Sequence, residues 1–180
     1  LEDTIKSILC QSYKNVEYII VDGCSNDNTL KIIKEYDDKI DYWISQNDSG
    51  ISDALNTAIK LTTGEIIGII HAGDLLLDDA ISNLFNYYSG SNKLYCGKVK
   101  IVGRKLPVIR KPEPHLLNKK CSIGHIGVFV PISIYRKFGV YSLDYKIAMD
   151  YDFFYRLYKD DVEFKLIDEI FSVFILGGIS

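Results

Sequence analysis

The chain has 180 residues, of which 47% are hydrophobic and 25% charged, enough for one domain with a buried core. Its net charge of −3 argues against a general nucleic-acid binder, which carries a basic face, but is compatible with a small anionic substrate held through a metal. The longest apolar runs, residues 66–70 and 171–176, are too short to span a bilayer, and no signal peptide is recognisable.

The four cysteines (Cys10, Cys24, Cys96 and Cys121) share no CxxC spacing and have no histidine at metal-finger distance. They are expected to be reduced, mostly buried thiols, which fits a reducing, cytoplasmic compartment. The chain opens at Leu1 inside a helical pattern, and the expected start of the protein lies upstream.

Residues 2–11 have the spacing of an amphipathic helix, with Ile5, Ile8 and Leu9 on one side. Residues 17–21 form a short β-branched run ending at Asp22, expected to be a buried strand. Residues 25–27 offer capping groups for a helix that begins with Leu30, Ile32 and Ile33. Residues 41–45 are a second strand, and residues 47–50 a polar turn. A helix is predicted over residues 52–62, closed by Gly64, with Leu55, Ala58, Ile59 and Leu61 on its apolar stripe. Asp53 and Asn56 are neighbours on another face of that helix. Residues 66–70 read as a third buried strand, running into His71-Ala72-Gly73-Asp74, and residues 78–88 as a helix.

This alternation predicts an α/β fold with a mostly parallel sheet flanked by helices. Ligands of such sheets sit beyond the carboxyl ends of the strands, where Asp22 and Asp74 both fall. The second half is less regular. Strands are predicted over residues 93–102, 127–130, 164–167 and 171–176, and helices over 133–138 and 150–158. Residues 107–114 read as a Pro-rich mobile flap carrying Arg110 and Lys111, a solvated basic pair or a phosphate contact.

The carboxylates each allow two readings. Asp74 either caps a helix or supplies oxygen to a hard cation such as Mg²⁺ or Mn²⁺ on a substrate diphosphate, with Gly73 giving the ligand access to the backbone. Asp22 is a solvated loop acid or an acceptor for a base or ribose. Asp27 reads as an N-cap. Asp150 and Asp152 point in different directions on a helix, and Asp150, near its start, is the better candidate for a general base. His125 precedes an apolar strand and reads as structural on its own; His71 and His115 are weaker candidates for a site.

Taken in order, these segments resemble the family-2 glycosyltransferases of GT-A fold. Ile19-Ile20-Val21-Asp22-Gly23-Cys24-Ser25-Asn26-Asp27-Asn28-Thr29 is similar to the family's nucleotide-binding block, with Cys24 and Asn28 where glycines are frequent. Asp48-Ser49-Gly50-Ile51-Ser52-Asp53-Ala54-Leu55-Asn56 resembles the next block, and Thr63-Gly64-Glu65 the strand entry after it. Ala72-Gly73-Asp74 stands in the place of the DXD-type metal motif, with Gly73 where Asp is usual and His71 in place of a common Asn. His125 matches a histidine before the acceptor-side strand. Asp150-Tyr151-Asp152 resembles the acidic block before the last helix, and Gly177-Gly178-Ile179-Ser180 a recurring late segment.

The resemblance implies one catalytic domain, a Rossmann-type GT-A-like sheet whose first strand is missing from this sequence, incomplete at the N-terminus and also at the C-terminus. It implies inverting hexosyl transfer from a nucleoside-diphosphate sugar, UDP-linked, to a saccharide or lipid-linked acceptor in surface polysaccharide or glycolipid synthesis. Asp22, Asp53, Asn56, Gly73 and His125 would bind the nucleotide-sugar, Asp74 the Mg²⁺ or Mn²⁺, and Asp150 would be the base. No nucleic-acid partner is implied; peripheral association with the inner face of the membrane is. A truncated sheet with open strand edges is expected to be poorly stable or inactive alone. Two alternatives are a nucleotidyltransferase of related α/β fold, which would release pyrophosphate, and a non-catalytic nucleotide-sugar-binding module.

Overall fold

The structure is a computed structural model and describes residues 1–103 and 105–177. Of the late segment Gly177-Gly178-Ile179-Ser180, residues 178–180 therefore lie outside the described residues.

The first half follows the predicted alternation. Helix α1 (Glu2–Leu9) leads to β1 (Ile19–Asp22), α2 (Thr29–Glu35) and β2 (Tyr42–Ser45), and β1 and β2 pair in parallel across that helical crossover. Helix α3 (Ile51–Leu61) follows, burying Ser52, Asn56 and Ile59. Gln11 is 1% exposed and fastens α1 to the next layer: its amide donates to the Ser7 and Leu77 carbonyls and accepts from Ile81 N–H. Glu17 closes the loop after α3 by accepting from the Thr63 and Gly64 backbone.

Beyond this point the strands pair in mixed senses, a departure from the mostly parallel expectation. Strand β3 is shorter than expected (Ile66–Gly68). After it come β4 (Leu75–Leu76), α4 (Ala80–Tyr87), β5 (Lys93–Val102) and β6 (Val108–Arg110). Strand β7 (Val128–Pro131), α5 (Ile132–Phe138), α6 (Met149–Lys159) and β8 (Glu163–Ile175) complete the described chain. The six-stranded sheet runs β3-β7-β5-β8-β4 with β6 on β5, and only β5 and β8 are parallel. Strands β3 and β5 each pair antiparallel with β7, β4 with β8, and β6 with β5.

Two further expectations are corrected. The segment expected as a flap carries β6, which pairs with β5 from Val99 to Ile101. The two strands expected at the end are one, β8, because the polar Asp168-Glu169 break is absorbed where the β5–β8 register shifts around Lys98, whose ammonium lies 2.6 Å from Asp168. Cys10, Cys24 and Cys121 are exposed and only Cys96 is buried, against the expectation of mostly buried thiols.

One apolar cluster lies under α6 and α5, around Phe153, Phe154, Leu157, Leu94 and Tyr135; another joins α4 to the sheet through Leu84, Phe129 and Phe171. Among the described residues, strand β1 pairs only with β2, and β3 only with β7. Both line a cavity of about 780 Å³ whose walls include α1, α3 and α4. No helix among the described residues is long and apolar enough to cross a membrane.

Gly97 lies under the Phe171 ring, where a Cβ would overlap the ring atoms. Gly97→Ala is expected to lower stability by about 1–3 kcal/mol, read as a shift in the urea midpoint.

Candidate active site

Strand β1 delivers Asp22 to the cavity rim. The side chain is buried and accepts from Ser45 Oγ at 2.6 Å and Ser25 N–H at 3.1 Å. Burial pushes its pKa up, but the hydrogen bonds from Ser25 and Ser45 outweigh it and hold the carboxyl below its ordinary range. Asp22 is therefore an anion that also ties the loop after β1 to β2. In that loop Cys24 takes φ 61°, a left-handed conformation usual for glycine. Gly23 is needed for space, since a Cβ there would sit 2.5 Å from the Asp48 carboxylate.

The chain leaving β3 makes a tight turn. Asp74 N–H donates to the His71 carbonyl at 3.0 Å, and Gly73 takes φ 101°, with open space where a Cβ would stand. Gly73 N–H donates to Thr4 Oγ1 of α1, and Asp74 Oδ1 accepts from Ile175 N–H at the end of β8. Asp74 is 4% exposed; burial raises its pKa, opposed by the Ile175 hydrogen bond. His71 and Ala72 line the same cavity as Asp22.

From the second half come His125 and Asp150. His125 follows a glycine bend before β7; its Nδ1 lies 3.2 Å from His71 Nε2 and its Nε2 lies 2.8 Å from Tyr141 OH. Burial and His71 push its pKa down to about 3, so the ring is neutral. Asp150 stands in the first turn of α6, where Oδ1 accepts from Tyr151 N–H at 2.8 Å. Burial raises its pKa, opposed by the backbone hydrogen bonds and by nearby His71 and Arg110. Its neighbour Asp152 is committed elsewhere: it pairs at 3.0 Å with Arg156, which also donates to the Phe138 and Val140 carbonyls.

Asp22, His71 and Ala72 thus line one hollow, with Asp74 two residues further along the same turn; Asp150 does not line it and is linked to His71 only electrostatically. Two residues expected to bind ligand have other partners. Asn56 is buried and uses its amide on the Tyr141 backbone, donating to its carbonyl at 2.8 Å and accepting from its N–H at 3.0 Å. His125 has both ring nitrogens engaged inside the protein. Asp53 accepts from Ser49 N–H at 3.0 Å and shapes the turn before α3. The sequence reading undervalued His71, whose position beside the strand-end turn was the available signal.

No group of three His, Cys, Asp or Glu side chains that could cage a metal occurs among the described residues. A cation at Asp74 would take one protein carboxylate and complete its shell from phosphate oxygens and water, which suits Mg²⁺ or Mn²⁺. Only Oδ1 of Asp74 has a hydrogen-bond partner among the described residues, so the carboxylate retains an acceptor oxygen for this purpose.

The mixed sheet flanked by helices is that of the GT-A fold, as solved structures show. Staphylococcus aureus TarS in complex with UDP superposes with a TM-score of 0.77 at 18% identity, covering 97% of this chain and 56% of that one. The mannosyltransferase PcManGT of Pyrobaculum calidifontis, in complex with GDP-Man and Mn²⁺, superposes with a TM-score of 0.71 at 18% identity, covering 96% and 52%. The sequence profile of glycosyl transferase family 2 matches residues 1–164, and the chain belongs to that family. An uncharacterized glycosyltransferase of Mycobacterium tuberculosis is 30% identical over 166 residues, covering 87% of this chain and 63% of the relative. The poly(ribitol-phosphate) beta-N-acetylglucosaminyltransferase TarP of S. aureus is 28% identical, covering 96% and 52%. The chain thus spans just under two thirds of the length of the first relative and about half of the second.

Asn56→Ala is expected to destabilise the protein by about 2–3 kcal/mol, because it leaves two buried backbone groups of Tyr141 unpaired. Chemical denaturation reads the loss, and calorimetry with UDP on the folded fraction is expected to show little change in affinity.

Proposed function

We propose that this glycosyltransferase moves a hexosyl group, with inversion, from a UDP-linked sugar to the hydroxyl of a saccharide or lipid-linked acceptor. The base reading is carried by Asp150: a half-buried carboxylate with raised basicity, at a helix start, under the electrostatic influence of His71, while Asp152 is locked to Arg156. In the reaction the acceptor hydroxyl gives its proton to Asp150 as its oxygen bonds to the anomeric carbon. The bond from that carbon to the diphosphate breaks in the same displacement, and the nucleoside diphosphate leaves with the electron pair. Asp22 orients the nucleotide, with Asp53 and Gly73 shaping the turns that flank it. A divalent ion at Asp74, when bound, neutralises charge on the diphosphate.

TarS is described with UDP and with UDP-GlcNAc, and PcManGT with GDP-Man, which supports a nucleotide-sugar donor. TarP, by its name, acts on poly(ribitol-phosphate), which supports a role in surface polysaccharide or glycolipid synthesis. We place that work in the cytoplasm, with peripheral attachment at the inner face of the membrane.

Asp150→Asn in the full-length protein is expected to lower kcat by about 100-fold or more while leaving donor affinity close to the parent's; turnover near the parent rate would reject the base. Since Asp150 must be ionised to accept a proton and burial raises its pKa, kcat is expected to fall on acidification at a pH above the ordinary carboxylate range. Asp74→Ala is expected to abolish the gain in UDP-sugar affinity that Mn²⁺ gives in calorimetry; an unchanged gain would remove Asp74 as the ligand.

A further inference from the structure

His71, His125, Tyr141 and Tyr135 form one inward-running chain of hydrogen bonds. His71 Nε2 meets His125 Nδ1 at 3.2 Å, His125 Nε2 meets Tyr141 OH at 2.8 Å, and Tyr141 OH meets Tyr135 OH at 3.1 Å. Heavy-atom distances leave two senses for the protons, since a neutral imidazole carries one N–H and a phenol both donates and accepts.

The buried end decides between them. Tyr135 is 3% exposed, and Tyr141 OH is its phenol's one hydrogen-bond partner among the described residues. If the protons run inward from His71, Tyr135 accepts at the end of the chain and its own proton has no acceptor, a buried unmet donor. If they run outward, each proton is received: Tyr135 donates to Tyr141, Tyr141 to His125 Nε2, and His125 Nδ1–H to His71 Nε2. His71 must then carry its single proton on Nδ1.

That nitrogen has no hydrogen-bond partner among the described residues, and His71 lines the cavity with Asp22 and Ala72. The Phe154 ring meets His125 edge-on, with centroids 6.0 Å apart. Asp150 is one turn before Phe154 on α6 and so shares its face; no hydrogen bond joins its carboxylate to either histidine among the described residues, and its link to His71 is electrostatic.

We propose that the buried Tyr135–Tyr141–His125 chain locks His71 as its Nδ1–H tautomer, so that a donor left unpaired here is available to orient the Asp150 carboxylate in the working complex. His71 is on this account a positioning residue, and His125 acts through it without touching the sugar donor. The mutual electrostatic influence of His71 and Asp150 agrees with this placement. The orienting role rests on the reading of Asp150 as base; the tautomer does not.

Long-range ¹H–¹⁵N correlation spectra of the full-length protein read the ring protons directly. Both His71 and His125 are expected to show a protonated Nδ1 and a bare Nε2; any other pattern at His71 overturns the inference. Turnover tests the role. Asn places an amide N–H near the position of Nδ1 and Gln near that of Nε2, so His71→Asn is expected to stay within about tenfold of the parent kcat and His71→Gln to lose about 100-fold, with donor KM little changed in both. Equal losses in the two variants overturn the positioning role. The two readings fail separately: a fully active Asp150→Asn protein removes the base and leaves the ring protons standing, whereas a wrong tautomer removes this inference and leaves the base.

Discussion

The turn from His71 to Asp74 is the constraint on which the rest of the site depends. Within four residues it contacts α1 through Gly73 N–H, the end of β8 through the Asp74 carboxylate, and the second half of the chain through the His71 ring. Only a backbone that can take φ 101° at position 73 lets those three groups point apart while Asp74 N–H closes back on the His71 carbonyl. The imidazole of His71 and the backbone of Ala72 therefore line the cavity, with the Asp74 carboxylate held two residues further on.

Around this turn the protein uses hydrogen bonds from distant side chains where regular pairing ends. Asn56 holds the Tyr141 backbone, Arg156 holds the carbonyls of Phe138 and Val140, and Tyr151 OH donates to the Leu117 carbonyl. These contacts stiffen the connection between α5 and α6, which carries the phenol of Tyr141 on one side and leads to Asp150 on the other. Stacked Tyr135 and Phe153, with ring centroids 5.0 Å apart, give that connection an aromatic floor. Rigid support beneath a mobile substrate is what a reaction controlled by geometry requires.

Much of the fold was legible because local pattern and final pairing agree. Strand β5 occupies the stretch its apolar character marks, and β1–α2–β2 forms the parallel unit that strand–helix alternation implies. The sense of the other strands was not legible, since β3 pairs with β7 and β4 with β8 across long stretches of chain. Strand β8 read as two pieces because Asp168-Glu169 looks like a break until Lys98 is placed opposite. In the site, Asp22 could be picked out as a strand-end acid. The partners of Asn56 and His71 could not: the first binds backbone 85 residues away and the second a ring 54 residues away, and neither separation leaves a trace in local sequence. A polar residue on a helix face looks the same whether it meets a ligand or a carbonyl.

The central claim is that acids from separate stretches serve one nucleotide-sugar at the turn after β3. A crystal structure of the full-length protein with a UDP-sugar and Mn²⁺ tests it most directly. The account predicts the uridine against Asp22, the diphosphate beside the Asp74 turn with the ion between them, and the anomeric carbon facing Asp150. Nucleotide bound elsewhere, or Asp150 turned away from the anomeric carbon, would contradict it.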